Sequence, residues 1–235
     1  MLIVLIVHLF VSLFHPIELD SGTKAISQDS EGYESYEQLK EVEKEGVDYR
    51  IRYENRDTNI AVFAIHGGRI EIGTSEVVEG LASRGDYSYY MFEGIKSQDN
   101  GILHITSVKF DEPIARTLAR HSQTMISLHG FSSEERVIYV GGRNELYKYE
   151  IKKALTKYGF RTEEPREDLR GEELKNIVND TILKQGVQLE ISSSVRRSFF
   201  ENNDWSRGNI ENKSTVYYRF IDALEEASSK YKKNL

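Results

Sequence analysis

The chain has 235 residues, of which 39% are hydrophobic and 29% are charged, and this suits one globular domain with a sizeable core. Its formal net charge of −7 argues against a protein that coats nucleic acid, because phosphate binding needs an excess of lysine and arginine on one face. It contains no cysteine, so thiolate metal sites, cysteine nucleophiles and disulfides are excluded.

The N-terminal segment Leu2–Phe14 is almost entirely apolar. It is too short for a comfortable membrane span but has the length of the apolar region of a signal peptide. Small residues at Thr23 and Ala25 permit cleavage after Ala25, although no lysine or arginine precedes Lys24. We expect residues 1–25 to be a signal peptide or an N-terminal anchor, with no stable membrane span beyond it, and residues 26–235 to be a single domain.

The rest of the chain alternates between strand-like and helix-like segments. Strands are predicted at Tyr49–Glu54, Ile60–Ile65, Tyr87–Phe92, Ile102–Thr106, Thr124–Leu128, Arg136–Val140 and Val187–Ile191. Helices are predicted at Glu76–Ser83, Pro113–Arg120, Asn144–Tyr158, Glu172–Asn179 and Ser214–Lys230. This alternation predicts an α/β sandwich of three layers, with a mixed, mainly parallel central sheet.

Two of the predicted strands end in a histidine that is followed by glycine. His66 and His129 are these residues, and Glu71 follows His66 by five positions across a pair of glycines that permit the backbone to fold back. Sites in such sheets gather at the carboxyl ends of strands, so we expect the three side chains to hold zinc and to leave a fourth position open. The alternative is a structural histidine at each strand end and a solvated Glu71.

A glutamate also lies within the last predicted strand. Glu190 interrupts an apolar run, and a carboxylate there must face either solvent or a polar site, because burying a bare charge is costly. Near a metal it could serve as the general base. An edge-strand glutamate that faces water explains the pattern equally well.

Several cationic or polar residues could contact a substrate. Arg196 follows the Glu190 strand and could grip a carboxylate with its planar guanidinium. His104 could bind substrate or polarise a carbonyl, although a core histidine is at least as good an interpretation. Arg143 is a further candidate, but Arg143, Arg69 and Lys96 are each more readily explained as solvated surface charges.

The His-Gly-Gly sequence that begins at His66 also occurs in the oxyanion loop of esterases with the α/β-hydrolase fold. That fold requires a Gly-x-Ser-x-Gly nucleophile turn, and the chain has none. It also has no Walker loop, dinucleotide fingerprint or HExxH helix. The motif therefore favours a metal site.

Five segments, taken in order, resemble the phage and prophage poly-γ-glutamate hydrolase family, which is often labelled as phage-related replication proteins. They are the segments HGGRIEIGTSE from His66, LHITS from Leu103, FDEP from Phe110, SLHG from Ser127 and GVQLEIS from Gly186. The resemblance extends from about Tyr49 to the C-terminus and implies a fold similar to zinc carboxypeptidases. The sequence departs from the family pattern at Ser193-Ser194, where a basic residue and glycine are commoner.

The resemblance implies a zinc-dependent hydrolase that cuts γ-glutamyl amide bonds of poly-γ-glutamate, an anionic polymer found in capsules. It implies that His66, Glu71 and His129 are zinc ligands, that Glu190 is the general base and that Arg196 contacts a substrate carboxylate. The alternatives are another zinc amidase, which acts on cell-wall peptides or acylated amino acids, and a capsule-binding protein without catalysis.

The expected protein is a monomer with a single catalytic domain and no nucleic-acid partner. It would be secreted or anchored if Leu2–Phe14 is a signal segment. Otherwise it would remain cytoplasmic until phage lysis.

Overall fold

The computed structural model describes residues 32–234. Seven strands form one sheet in the order β1-β3-β2-β4-β7-β5-β6. They are β1 (Tyr49–Glu54), β2 (Ile60–Gly68), β3 (Ser88–Gly94), β4 (Thr124–Phe131), β5 (Ile138–Gly142), β6 (Thr162–Glu163) and β7 (Val187–Ser192). The predictions for residues 1–25 lie outside the described residues.

Parallel pairings dominate the sheet. The pairs β2–β3, β2–β4, β4–β7 and β5–β6 are parallel, whereas β1–β3 and β5–β7 are antiparallel. The predicted α/β fold with a mixed, mainly parallel sheet is therefore confirmed.

Helices cover both faces of this sheet. They are α1 (Tyr36–Val42), α2 (Thr74–Gly85), α3 (Pro113–His121), α4 (Glu145–Lys157), α5 (Ser193–Arg197) and α6 (Thr215–Lys232). Along β2, Val62 and Ala64 join the core cluster that contains α2, α4 and α6. Phe63 and Ile65 join the cluster that contains α1 and α3. Successive side chains of a strand point to opposite faces, so the continuous apolar run of β2 is what a strand between two layers requires.

The largest helices begin and end close to their predicted limits. Asn144 caps α4 by accepting a hydrogen bond from the Tyr147 amide, and Ser214 caps α6 in the same way from the Val216 amide. The helix α1 lies in a polar, acidic stretch of the sequence for which no element was predicted. No described helix is long and apolar enough to cross a membrane.

Two predicted elements were wrong. The predicted strand Ile102–Thr106 is a short 3₁₀ turn, Asn100–Leu103, followed by irregular chain. Its buried Leu103 and Ile105 pack on the sheet without joining it, and this produces the same alternation of apolar residues. The predicted helix Glu172–Asn179 contains only the 3₁₀ turn Ile177–Asn179, because Asn176 accepts a hydrogen bond from the Val178 amide and so competes with helical pairing.

Candidate metal centre and active site

The crevice that holds the site opens between β2 and β4. These strands are paired from Ile60 opposite Thr124 to Phe63 opposite Ser127, and the pairing ends there although both strands continue. The strand β4 instead stays paired with β7 as far as Phe131. The side chains of His66 and His129 meet in the gap, at the carboxyl ends of parallel strands where such sheets place their sites.

A tight turn after β2 brings Glu71 to the same place. The Glu71 amide donates to the His66 carbonyl across 2.9 Å. Gly68 has φ of +62°, and a Cβ added there would lie 2.6 Å from the carbonyl oxygen of Gly94. A glycine is therefore needed at this turn, and the predicted folding back of the backbone is confirmed. The Gly130 amide then holds Glu71 by donating to its Oε2 at 2.8 Å.

Three side chains converge in the crevice, with both carboxylate oxygens of Glu71 close to the histidine nitrogens. Nδ1 of His66 lies 3.1 Å from Nδ1 of His129 and 3.1 Å from Oε1 of Glu71. Oε2 of Glu71 lies 3.8 Å from Nδ1 of His129. Ligand atoms around a tetrahedral zinc ion are separated by roughly 3.3–3.6 Å, given bond lengths near 2.0–2.2 Å. The three side chains therefore fit a zinc ion in spacing and in donor type.

Hydrogen bonds on the far side of each ring turn the same nitrogen inward. Nε2–H of His66 donates to the carbonyl of Ile105 at 2.8 Å, so the neutral ring carries its lone pair on Nδ1. Nε2 of His129 lies 2.8 Å from the hydroxyl of Ser127, which can accept the matching proton. Two lone pairs that face each other across 3.1 Å repel unless a cation lies against them. Such outer hydrogen bonds are typical of metal-ligating histidines.

His104 is a second candidate for the third ligand. Donor atoms of His66, Glu71 and His104 all lie within 4.8 Å of one another. However, the His104 ring stacks on His66 with centroids 3.8 Å apart and an interplanar angle of 29°. Lone pairs lie in the ring plane, so those of nearly parallel rings do not converge. The His66 and His129 rings meet at 72°, and this arrangement fits one ion better.

The charge states of the cluster match what a divalent cation requires. Burial lowers the pKa of His129 to about 3, and burial together with His66 lowers the pKa of His104 to about 4. Burial by itself would raise the pKa of Glu71, but the charge and hydrogen bond of His66 hold that pKa at about 2. Near neutral pH the crevice thus presents His129 and His104 as neutral imidazoles and Glu71 as an ionised carboxylate.

Glu190 lies directly beside the cluster. It is opposite His129 in the β4–β7 register, so the two side chains share one face of the sheet. The strand β7 lies between β4 and β5, and Glu190 is buried, so the interpretation as an edge-strand residue facing water was wrong. Burial, reinforced by the charge of Glu71, raises the pKa of Glu190 well above its usual value.

Two amide side chains orient the Glu190 carboxyl. Nε2 of Gln188 donates to Oε1 of Glu190 at 3.0 Å. Oε1 of Gln188 accepts from Nδ2 of Asn176 at 2.9 Å, and this fixes which way the Gln188 amide points. Neither residue was predicted from the sequence, although Gln188 lies two positions before Glu190 and therefore shares its face of β7.

Arg196 lies behind the cluster and bonds to the main chain. Its Nε donates to the carbonyl of Ile191 at 3.0 Å, Nη1 to that of Ile72 at 2.8 Å and Nη2 to that of Phe131 at 3.3 Å. These carbonyls belong to the segments that carry Glu190, Glu71 and His129. The predicted role of Arg196 as a substrate contact stays a prediction. Its three hydrogen bonds make it a brace, that is, a side chain that holds these three segments together.

The comparisons with known proteins agree with this geometry. The sequence profile of the family described as Poly-gamma-glutamate hydrolase matches residues 33–223. The chain belongs to this family. A relative, the SPbeta prophage-derived UPF0714 protein YoqZ of Bacillus subtilis (strain 168), is 35% identical over 223 residues, which are 94% of this chain and 77% of YoqZ.

Two solved structures share both sequence and fold with this family member. One is a bacteriophage poly-gamma-glutamate hydrolase, which is 33% identical in sequence and superimposes with a TM-score of 0.85. The match covers 86% of this chain and 99% of the bacteriophage chain. The other is described as YNDL in a zinc-free apo form, with 33% identity, a TM-score of 0.79 and coverage of 85% and 98% respectively. The likeness therefore extends over nearly the whole described part of the chain.

A cavity of about 750 Å³ opens onto the cluster. It is lined by His66, Glu71, His104, His129 and Glu190, so the structure brings together five of the seven predicted site residues. Arg143 does not line it. Its Nη1 donates to the carbonyl of Glu172, and it lines a neighbouring surface depression, so its predicted substrate contact stays a prediction.

The cavity wall also carries charges that the sequence analysis did not single out. Lys109 and Arg170 contribute the cationic side chains. The segment 167–173 contributes an acidic lip, defined as Glu167, Asp168, Glu172 and Glu173. No role was predicted for this lip, because Glu167 and Asp168 lie in a short 3₁₀ turn and Glu172 and Glu173 begin the wrongly predicted helix Glu172–Asn179.

Proposed function

We propose that this chain is a zinc-dependent hydrolase that cleaves γ-glutamyl amide bonds of poly-γ-glutamate. The proposal is supported most by the convergence of His66 Nδ1, Glu71 and His129 Nδ1 beside the buried Glu190, in a member of the Poly-gamma-glutamate hydrolase family. In this proposal His66, Glu71 and His129 hold zinc. When bound, the ion would act as a Lewis acid that polarises the amide carbonyl and would lower the pKa of the attacking water.

The chain's own residues supply the proton transfers. Glu190 takes a proton from the attacking water and gives it to the leaving nitrogen as the C–N bond breaks. A carboxyl that alternates between these roles works best when its pKa is raised towards the working pH, and burial beside Glu71 raises the pKa of Glu190. Gln188 keeps the carboxyl directed at the cluster through its hydrogen bond.

Metal analysis combined with polymer cleavage tests this proposal. We expect the purified protein to bind about one zinc ion per chain and to shorten poly-γ-glutamate, as seen by size-exclusion chromatography and by release of free amines. A chelator should abolish cleavage and added zinc should restore it. The proposal would be disproved if the protein contained no zinc and left the polymer intact after zinc was added.

A substrate panel separates this proposal from its alternatives. Cleavage of acylated amino acids or cell-wall peptides without cleavage of the polymer would point to a different zinc amidase. Binding of the polymer without any product would point to a capsule-binding protein. Either result would replace the proposed substrate or the proposed activity.

A further inference from the structure

A second cleft lies beside the metal centre, on the other side of the turn that carries Glu71. This Arg cleft has a volume of about 260 Å³ and is lined by Arg50, Arg69, Arg207 and the turn residues Gly68 and Ile72. Arg69 and Glu71 are two residues apart, so their Cα atoms are separated by at most about 7 Å. The Arg cleft and the metal centre are therefore neighbours along one edge of the sheet.

The guanidinium groups of the Arg cleft keep capacity for a ligand. Among the described residues, the side chain of Arg69 forms no hydrogen bond and no ion pair, while its backbone amide is held by the carbonyl of Gly94 at 2.9 Å. Within residues 32–234, Arg207 is anchored through Nη2 alone, which donates to the carbonyls of Ile95 and Lys96 at 3.4 and 2.5 Å. Nε of Arg50 donates a hydrogen bond to Oε2 of Glu93 at 2.6 Å. The remaining N–H groups are free to bind an anion.

The acids of the Arg cleft do not cancel its positive charge. Glu93 is buried between Arg50 and Arg52, with N–O distances of 2.6 and 3.6 Å. Glu76 also lines the cleft, and its Oε2 is buried with no hydrogen-bond partner in the described part of the chain. Burial raises the pKa of Glu76, which favours the neutral carboxylic acid over the carboxylate. The cleft thus remains cationic.

The Arg cleft lies at the β1–β3 side of the sheet, whereas the charge is reversed towards the β7–β5 side, where the Leu169 carbonyl accepts from Gln188. There the acidic lip sets four carboxylates, Glu167, Asp168, Glu172 and Glu173, on the cavity wall, against Lys109 and Arg170. Poly-γ-glutamate carries one free α-carboxylate on every residue, because its amide bonds use the γ-carboxyl groups. A polyanion is repelled from the lip and attracted to the Arg cleft.

We propose that the Arg cleft is a subsite that binds α-carboxylates of polymer residues beyond the two that flank the bond being cut, so that the polymer runs over the Arg cleft and away from the acidic lip. Guanidinium groups suit this role because their paired N–H donors match the two oxygens of a carboxylate. This inference rests on the proposed function for the identity of the polymer. Beyond that function, the inference specifies the direction in which the polymer leaves the metal centre, which is towards the Arg cleft.

The variants Arg69→Gln and Arg207→Gln test the inference. Each should weaken binding of poly-γ-glutamate by about three- to tenfold and raise KM for the polymer by a similar factor, because each removes one charge-assisted contact. Both variants should also reduce the salt dependence of binding. Turnover of a γ-glutamyl dipeptide, which is too short to reach the cleft, should keep its wild-type kcat.

Two further variants serve as controls. Arg84→Gln removes a half-exposed arginine that pairs with Asp222 near the C-terminal end of α2, far from this edge of the sheet, and should leave polymer binding unchanged. Arg69→Lys keeps the charge but not the paired donors, so its affinity should lie between those of wild type and Arg69→Gln.

Neutralising the lip with Glu167→Gln and Glu172→Gln should tighten polymer binding at low salt.

Binding is measured with the Glu190→Gln protein, which separates affinity from turnover. Polymer cleavage by wild type together with unchanged affinity and KM in Arg69→Gln and Arg207→Gln would overturn the subsite alone. Absence of cleavage by wild type together with arginine-dependent polymer binding would overturn the proposed activity and keep the subsite. If neither binding nor cleavage occurs, both proposals fail.

Discussion

At the scale of single residues, hydrogen bonds on the outer side of each histidine decide what the inner side can do. The carbonyl of Ile105 takes the proton of His66 Nε2, and the hydroxyl of Ser127 can do the same for His129. Both rings then offer Nδ1 to the crevice. The two nitrogens lie 3.1 Å apart, a spacing that suits two ligands of one ion.

The variant Glu190→Gln tests the base. The amide has nearly the same shape but cannot accept the proton, so we expect kcat to fall by about 10²–10⁴-fold while zinc content stays at the wild-type level. Activity assays and metal analysis on the same preparation measure both quantities. Turnover within about tenfold of wild type would reject Glu190 as the base.

Two variants of Arg196 distinguish a brace from a substrate contact. Arg196→Met leaves the carbonyls of Ile72, Phe131 and Ile191 without their buried donor, so we expect a loss of about 2–4 kcal/mol in the free energy of unfolding. Urea denaturation of the metal-free protein measures this loss. Arg196→Lys keeps the charge but not the three-way geometry and should also be destabilised. Unchanged stability combined with a raised KM would favour the substrate contact instead.

At the scale of elements, the turn between β2 and α2 positions Glu71 next to His66. It delivers Glu71 five residues after His66, and the Glu71 amide closes the turn on the His66 carbonyl. The left-handed conformation of Gly68 and its close approach to Gly94 leave no room for a side chain. One chain segment can thereby supply two of the three proposed ligands.

Substitution of Gly68 tests the importance of this turn. Gly68→Ala should lower the free energy of unfolding by about 1–3 kcal/mol and weaken zinc binding, because a Cβ is strained at this φ and meets the carbonyl of Gly94. Gly101→Ala is the matched control, since a Cβ there has no neighbour within 4 Å. Equal stability and zinc affinity in the two variants would show that the turn tolerates a side chain.

The elements also explain where prediction from the sequence succeeded. The strands β2, β4 and β7 and the helices α4 and α6 carry strong periodic patterns and capping residues, and all were predicted at nearly their observed positions. The segment around Leu103 and Ile105 failed because its alternation reflects packing on the sheet rather than membership of it. The segment before Asn179 failed because asparagine side chains took over the local hydrogen bonds.

At the scale of the whole molecule, the proposed site joins segments that are far apart in sequence. The strand order places β2, β4 and β7 side by side, although about 60 residues separate each from the next. A metal bound to both β2 and β4 would therefore stabilise the native chain as a unit. Ligand that binds only the folded state adds to the free energy of unfolding.

Thermal unfolding with and without zinc tests this coupling. At free zinc about 100-fold above its Kd, the free energy of unfolding should rise by about 2.7 kcal/mol, and Tm should rise with it. His129→Ala should abolish most of the rise. His121→Ala, which removes an exposed histidine on α3 whose Nδ1 bonds to the Thr117 carbonyl, should keep the zinc-dependent rise. A rise of the same size in both variants would exclude His129 as a ligand.

The sequence by itself determined the fold class, the family and the chemical nature of the proposed centre, because these follow from local periodicity, the absence of cysteine and His-Gly ends that resemble one family. Only the tertiary structure decided which side chains meet. It brought Glu190 into the interior of the sheet, turned Arg196 towards three backbone carbonyls and placed Arg143 in a neighbouring depression. It also placed arginines and an acidic lip on opposite sides of the site. The physical reason is that burial, side-chain direction and charge at a site depend on contacts between distant segments, and local patterns do not encode these contacts.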